Sequence, residues 1–111
     1  MKTFSKFEII GHVGKHGVQE VGPTLRVSIA AEYGRKDDDG RFVSNPFWNE
    51  VTIFNSARFD WIKANIDSGD LVRTAGTLRQ TKFERNGETV YTYTLAADEF
   101  DLLAKKSPPA T

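Results

Sequence analysis

Two histidines, His12 and His16, are the only imidazoles in this 111-residue chain, and there is no cysteine. Neither histidine has a Ser or Cys context that would make a nucleophile–base pair. The carboxylates are scattered, mostly in loops, and no phosphate loop or dinucleotide fingerprint occurs. Without thiols there is no disulfide, thiolate metal site or cysteine nucleophile. The run Asp37-Asp38-Asp39 lacks the spaced ligands of a calcium loop. No catalytic residue, metal or cofactor is therefore expected. What the chain offers instead is rings interleaved with cations. Tyr33, Phe47, Trp48, Phe54, Phe83, Tyr91 and Tyr93 fall near strand ends and loop bases, with Arg35, Lys36, Arg41, Arg73, Arg79, Lys82 and Arg85 close by. Bases of any identity stack on rings while Lys and Arg follow the phosphates, so single-stranded nucleic acid needs this mixture. The competing reading is that many of these rings, Phe47, Tyr91 and Tyr93 among them, only pack or pair across strands.

The stretch Trp48–Asn55 organises the rest. Read with a strand's period of two, it puts Trp48, Glu50, Thr52 and Phe54 on one face and Asn49, Val51, Ile53 and Asn55 on the other. Burying Glu50 and Thr52 would strand a charge and a hydroxyl. The Val51/Ile53 face is thus assigned to the core and the Trp48/Phe54 face to the outside, open to a flat ligand or covered by another element or subunit.

The elements around it follow from periodicity and breakers. Phe7–Val13 reads as a first strand ending at Gly14, and Lys15–Gly22 as a glycine-punctuated loop with room for a short extended middle. Leu25, Val27, Ile29 and Ala31 alternate with polar residues in a second strand that has Tyr33 at its end. Gly34–Gly40 is a polar loop, and Arg41–Pro46 leads into the central strand. Ser56 is the candidate N-cap of a helix running to about Asp67 or Ser68, with Gly69 as its stop. On that helix Phe59, Ile62 and Ile66 form a core stripe. Trp61 falls opposite with Ala57 and Ala64, and the pattern selects no partner for it. Leu71–Thr81 is a fourth strand with a bend or bulge at Gly76. Asn86-Gly87 is a hairpin turn, and Val90–Ala97 returns antiparallel. In the fourth strand Arg73, Ala75, Thr77, Arg79 and Phe83 share a parity if no bulge intervenes.

Five strands with one helix between the third and fourth is the order of an all-β OB-fold, a five-stranded Greek-key barrel. An SH3-like barrel or an α+β sandwich shares that order. The length suits one domain, taken as residues 1–103, with 104–111 as a short flexible tail. Fifteen Lys+Arg balance fifteen Asp+Glu, so any polyanion site must come from local sorting of charge. No apolar run approaches the ~20 residues that span a bilayer, and Met1–Phe7 lacks a signal peptide's apolar middle. No membrane association is expected, and a cytoplasmic, nucleoid-associated address fits.

With Ile9–Gly14 in the first strand, Trp48–Phe54 before the helix, Gly76–Phe83 in the fourth strand and Tyr93–Ala97 in the fifth, the chain resembles the bacterial-type single-stranded DNA-binding proteins over roughly residues 7 to 100. The resemblance implies sequence-tolerant binding of single-stranded DNA in replication, repair or recombination. It implies base stacking at Tyr33, Trp48, Phe54 and Phe83, and phosphate contacts from Lys36, Arg79 and Lys82; Arg73 joins them by strand parity. It also implies a homotetramer, with a dimer as fallback. Two departures stand out. Asn49 replaces the histidine usual after the central Trp, where subunits meet. The sequence stops at Lys105–Thr111 where the family has a long segment with an acidic tip, as either a trimmed domain or a tail-less plasmid, phage or primosome-accessory relative would, and tail-mediated recruitment of enzymes is not expected. The alternatives are an OB-fold protein-interaction or primosome-accessory module of replication restart, or an enzyme subunit or RNA binder.

Overall fold

In the computed structural model, which describes residues 3–106, five strands close a barrel in the order β1-β2-β3-β5-β4. The strands are β1 (Lys6–Val21), β2 (Thr24–Lys36), β3 (Phe42–Ile53), β4 (Leu71–Arg85) and β5 (Glu88–Ala104). All neighbours are antiparallel except β3 and β5, which touch in parallel at Val51–Leu95 and Thr52–Ala96. That single parallel seam closes the barrel, and the arrangement is the expected OB-fold. One inward-facing set fills it: Val13, Leu25, Val27, Ile29, Val51, Ile53, Val72 and Phe100, joined by Ile62 and Ile66 from beside the barrel. Burying such branched side chains stabilises the fold by about 1.5–3 kcal/mol each. The Val51/Ile53 face of the central strand is indeed the core face. Thr52, expected outside with Trp48, is nevertheless buried, because it sits at the seam with β5.

The strands are longer than the sequence signals suggest. β1 does not stop at Gly14, and Lys15–Gly22 is not a loop. The strand breaks register between Val13 and Val18, with Gly17 at φ 62°, and then pairs again up to Val21–Thr24. The bulge is tied down from outside the sheet, since the Val13 carbonyl accepts from Gly69 N–H at 2.9 Å. β2 and β3 run as a ribbon well past the barrel, which leaves only residues 37–41 as the connection. There the Asp37 carboxylate accepts from the backbone N–H of Asp39 and Arg41. β4 and β5 form a second ribbon that ends at the Asn86-Gly87 turn, where both residues have positive φ as a two-residue hairpin requires. The irregularity expected at Gly76 is present, but the extra residue is Asp98 on the facing strand.

The helix is shorter than its periodicity promises. A 3-10 turn, Ser56–Arg58, leads into α1 (Phe59–Asn65), and the cap is Asn55, whose Oδ1 accepts from Ala57 N–H at 3.1 Å. Ile66 turns extended instead of continuing the helix. The reason is Asp70, which is fully buried. Its carboxylate accepts from Asp67 N–H at 2.8 Å, from Lys106 N–H at 2.9 Å and from Lys105 Nζ at 2.7 Å. Burial alone would raise the Asp70 pKa, but the Lys105 ammonium and the two backbone N–H groups outweigh it and hold the carboxyl below its ordinary range. β5 ends at Ala104, and Lys105 and Lys106 are fastened to Asp70; the rest of the expected tail, residues 107–111, lies outside the described residues.

Candidate nucleic-acid interface

Trp48 stands on the outer face of β3, paired with Ala30 of β2. Its ring lies over β1 because Gly14 has no side chain: a Cβ there would sit 2.9 Å from Trp48 Cζ3. The indole stays 60% exposed and Phe54, one residue past the strand, 52%. Both line a depression of about 780 Å³ along the diverging β3–β5 seam, with Arg26, Glu50, Thr52, Tyr93 and Thr94. On its other side Trp48 borders a second hollow of about 520 Å³, beside Lys15, His16 and Gln19. Arg26 reaches Glu50 at 3.4 Å, a loose pair, and Arg26 Nε has no partner among the described residues. A flat ligand thus meets open ring faces with a lightly held guanidinium between them.

The remaining candidates divide between the two ribbons and their faces. Arg79 pairs with Thr94, which lines the Trp48–Phe54 depression, and Phe83 follows four residues on along the same face of β4. The Arg85 guanidinium lies 5.9 Å over the Phe83 ring. Lys82 points to the opposite face, paired with Tyr91; Tyr93, beside it, is reached by Gln80 Nε2, which donates to its hydroxyl at 3.3 Å. Lys36 pairs with Phe42, on the face of the β2–β3 ribbon that carries Trp48. Tyr33 is on the reverse of that ribbon, edge-on to Phe47 with centroids 5.3 Å apart. Tyr33 and Trp48 therefore do not share a surface.

Arg73 stands apart from the rest. It lines a different hollow beside Phe4, Phe7 and Glu8. Its guanidinium is held by Glu8 at 2.7 Å, Asp101 at 3.0 Å and Glu99 at 3.6 Å, so strand parity does not bring it to the rings. Sequence reasoning does not single out Arg26, which lines the depression, or Phe42, which pairs with Lys36. Arg26 alternates with apolar residues in β2 and so reads only as the polar side of a half-buried strand. Phe42 falls in a segment that reads as a lead-in to the central strand. Among the described residues no three His, Asp or Glu side chains gather as a metal site, and no helix is long and apolar enough to cross a membrane.

A closed five-stranded barrel with ring-bearing ribbons at one seam defines an OB-fold binding module of the kind that takes single-stranded nucleic acid. The chain belongs to the single-strand binding protein family, whose model matches residues 4–103 and whose members are non-enzymatic DNA-binding proteins. Among solved structures it resembles the mitochondrial single-stranded DNA-binding protein Rim1 of S. cerevisiae, with 27% identity, TM-score 0.72, and 95% of this chain and 100% of that one covered. It shares its fold with a Plasmodium falciparum SSB in complex with ssDNA, at 20% identity and TM-score 0.69, covering 96% and 98%. The small single-stranded DNA-binding protein of Streptomyces coelicolor also has this fold, at 14% identity and TM-score 0.66, covering 91% and 95%. No curated protein sequence matches the chain.

Proposed function

We propose that this protein binds single-stranded DNA without reading its sequence, stacking bases on Trp48 and Phe54 and following the phosphates with Lys and Arg. The observation that carries this is the open indole of Trp48, seated on Gly14 beside the Phe54 depression. Arg79 and Phe83 extend the track along one face of the β4–β5 ribbon, and Lys82 serves its other face. Lys36 serves the tip of the β2–β3 ribbon, and Tyr33 with Phe47 is a further stacking point on its reverse. Arg73 is left out, because its charge is taken by three carboxylates. With net charge zero, affinity leans on stacking and on these local cations.

The role that fits is protection of single strands in replication, repair or recombination, in the cytoplasm at the nucleoid. One barrel offers a short groove, and self-association into a tetramer, or failing that a dimer, lengthens it. Exposed Phe4 and Ile10 on the barrel wall near Arg73 supply apolar surface for such contacts. Fluorescence anisotropy with labelled oligothymidine tests the binding. Stacking contributes about 1–3 kcal/mol per base in OB-fold single-strand binders generally, so Trp48→Ala should weaken binding roughly ten- to hundredfold. Undiminished affinity in that variant would remove the stacking site, and no binding by wild type would favour a protein-interaction module.

A further inference from the structure

Phe42 and Trp48 lie six residues apart on the central strand, and Phe54 six further on, one residue past its end. β2 and β3 pair without a register shift from Leu25–Ile53 to Lys36–Phe42, so Phe42 and Trp48 project from the same face of the ribbon. At about 3.3 Å per residue each interval is about 20 Å, long enough for several nucleotides between rings. Phe42 and Trp48 are seated in the same way. The tip of the Phe42 ring occupies the space above Gly34, where a Cβ would fall 1.6 Å from Phe42 Cζ, as Trp48 occupies the space above Gly14. In both, the far end of the ring rests on a residue without a side chain while the side chain as a whole stays largely exposed. Phe42 remains 72% exposed, more than Trp48 or Phe54. A ring that served only to cover Gly34 would gain little by that exposure. Lys36, directly opposite on β2, places an ammonium group beside it for the phosphate of a stacked nucleotide.

We infer that Phe42 is a stacking platform for single-stranded DNA, the third in line with Trp48 and Phe54, extending the track from the barrel seam to the tip of the β2–β3 ribbon. This rests on the proposed function and specifies where the strand runs once past Trp48. The β2–β3 ribbon then works as a rail with bases docked at intervals, and Gly14 and Gly34 are positioning residues that seat the rings.

The test is an oligothymidine length series with wild type, Phe42→Leu, Phe42→Trp and Gly34→Val. Phe42 lies at an exposed ribbon tip, so Phe42→Leu should fold with an unchanged melting temperature. The shortest oligomers that bind wild type should bind Phe42→Leu equally well. Longer ones should bind it roughly tenfold more weakly, so that affinity stops rising at a shorter length. Phe42→Trp should keep the wild-type length dependence. In a background of Trp48→Phe and Trp61→Phe, its emission should be quenched only by the longer oligomers. Gly34→Val, which pushes the ring off its seat, should behave as Phe42→Leu does. Identical length profiles for wild type and Phe42→Leu would overturn the inference while leaving Trp48 binding intact. An equal loss at every length would also overturn it, because a general structural role predicts that pattern. Failure of wild type to bind at any length would remove the proposed function, and the third platform with it.

Discussion

The closed half of the β2–β3 ribbon and its free half obey the same alternation and end in opposite environments. Within the barrel, Leu25, Val27 and Ile29 on β2 and Val51 and Ile53 on β3 are sealed from water. Farther along the same two strands, on the same parity, Tyr33 and Phe47 are open. The alternation itself continues, with Asn49, Asn45 and Arg35 joining the rings on that parity in the free half. What changes is whether β1, β5 and the helix close over that face. A period of two therefore tells which residues share a surface, and only the topology tells whether that surface is core or interface. The outer face shows a related contrast. Ala30 is buried, while Trp48 opposite it lies over Gly14 with its ring exposed.

The sharpest way to break this comparison is to truncate one side chain from each half. Leu25→Ala removes a wholly buried side chain and should cost roughly 2–5 kcal/mol of stability by chemical denaturation, leaving the affinity of the folded protein for oligothymidine unchanged. Trp48→Ala should do the reverse. A loss of affinity with Leu25→Ala matching that of Trp48→Ala would mean that barrel and ribbon are not separable.

The far end of the barrel gives a second contrast, between a charge that is buried and fastened and the ribbon cations Arg79 and Lys82, which have no ion pair among the described residues. Asp70→Asn should cost roughly 1–3 kcal/mol. The pH profile identifies the cause. The Asp70 carboxyl lies below its ordinary value of 3.8 in the folded protein. Its stabilisation is therefore full above that value and is lost as pH falls through the lower folded one. Melting temperatures between pH 7 and pH 2 should fall less steeply for Asp70→Asn than for wild type in the acid limb. Parallel curves would show that the ion pair with Lys105 does not hold the chain end in place.

The smallest expected effect comes from the free cations. Arg79→Ala or Lys82→Ala should reduce the slope of log affinity against log salt by about 0.7 for each phosphate that is no longer neutralised, with stability unchanged. Arg73→Ala should leave that slope unchanged and lower stability instead, since its charge partners are Glu8, Glu99 and Asp101. A changed slope for Arg73→Ala would return it to the binding surface.

Much of this is legible in the residues themselves. The alternation of Val51 and Ile53 against Trp48, the Asn86-Gly87 turn and the Phe59/Ile62/Ile66 stripe yield the barrel order and the outward ring, because each signal is local. The strand lengths are not legible. Gly14 and Gly17 read as chain breakers, whereas here they make a bulge and a seat for an indole. Gly34 and the acidic run hide the ribbon that carries Phe42. The helix end is set by Asp70, through tertiary bonds with residues 35 and 36 positions further on, which no helix periodicity encodes. The ion pairs of Arg73 are hidden for a similar reason. Its parity with Arg79 and Phe83 is real, but three carboxylates from β1 and β5 meet it only once the barrel closes.

The central claim is that the Trp48 ring is free to receive a base, and its own fluorescence tests that most directly. In the Trp61→Phe variant Trp48 is the sole indole; in Trp48→Phe the sole indole is Trp61, on α1 with the Arg58 guanidinium 5.8 Å over its ring. Saturating oligothymidine should strongly quench the emission of the first and leave the second nearly unchanged. Undiminished Trp48 emission under conditions where anisotropy shows the DNA bound would contradict the account.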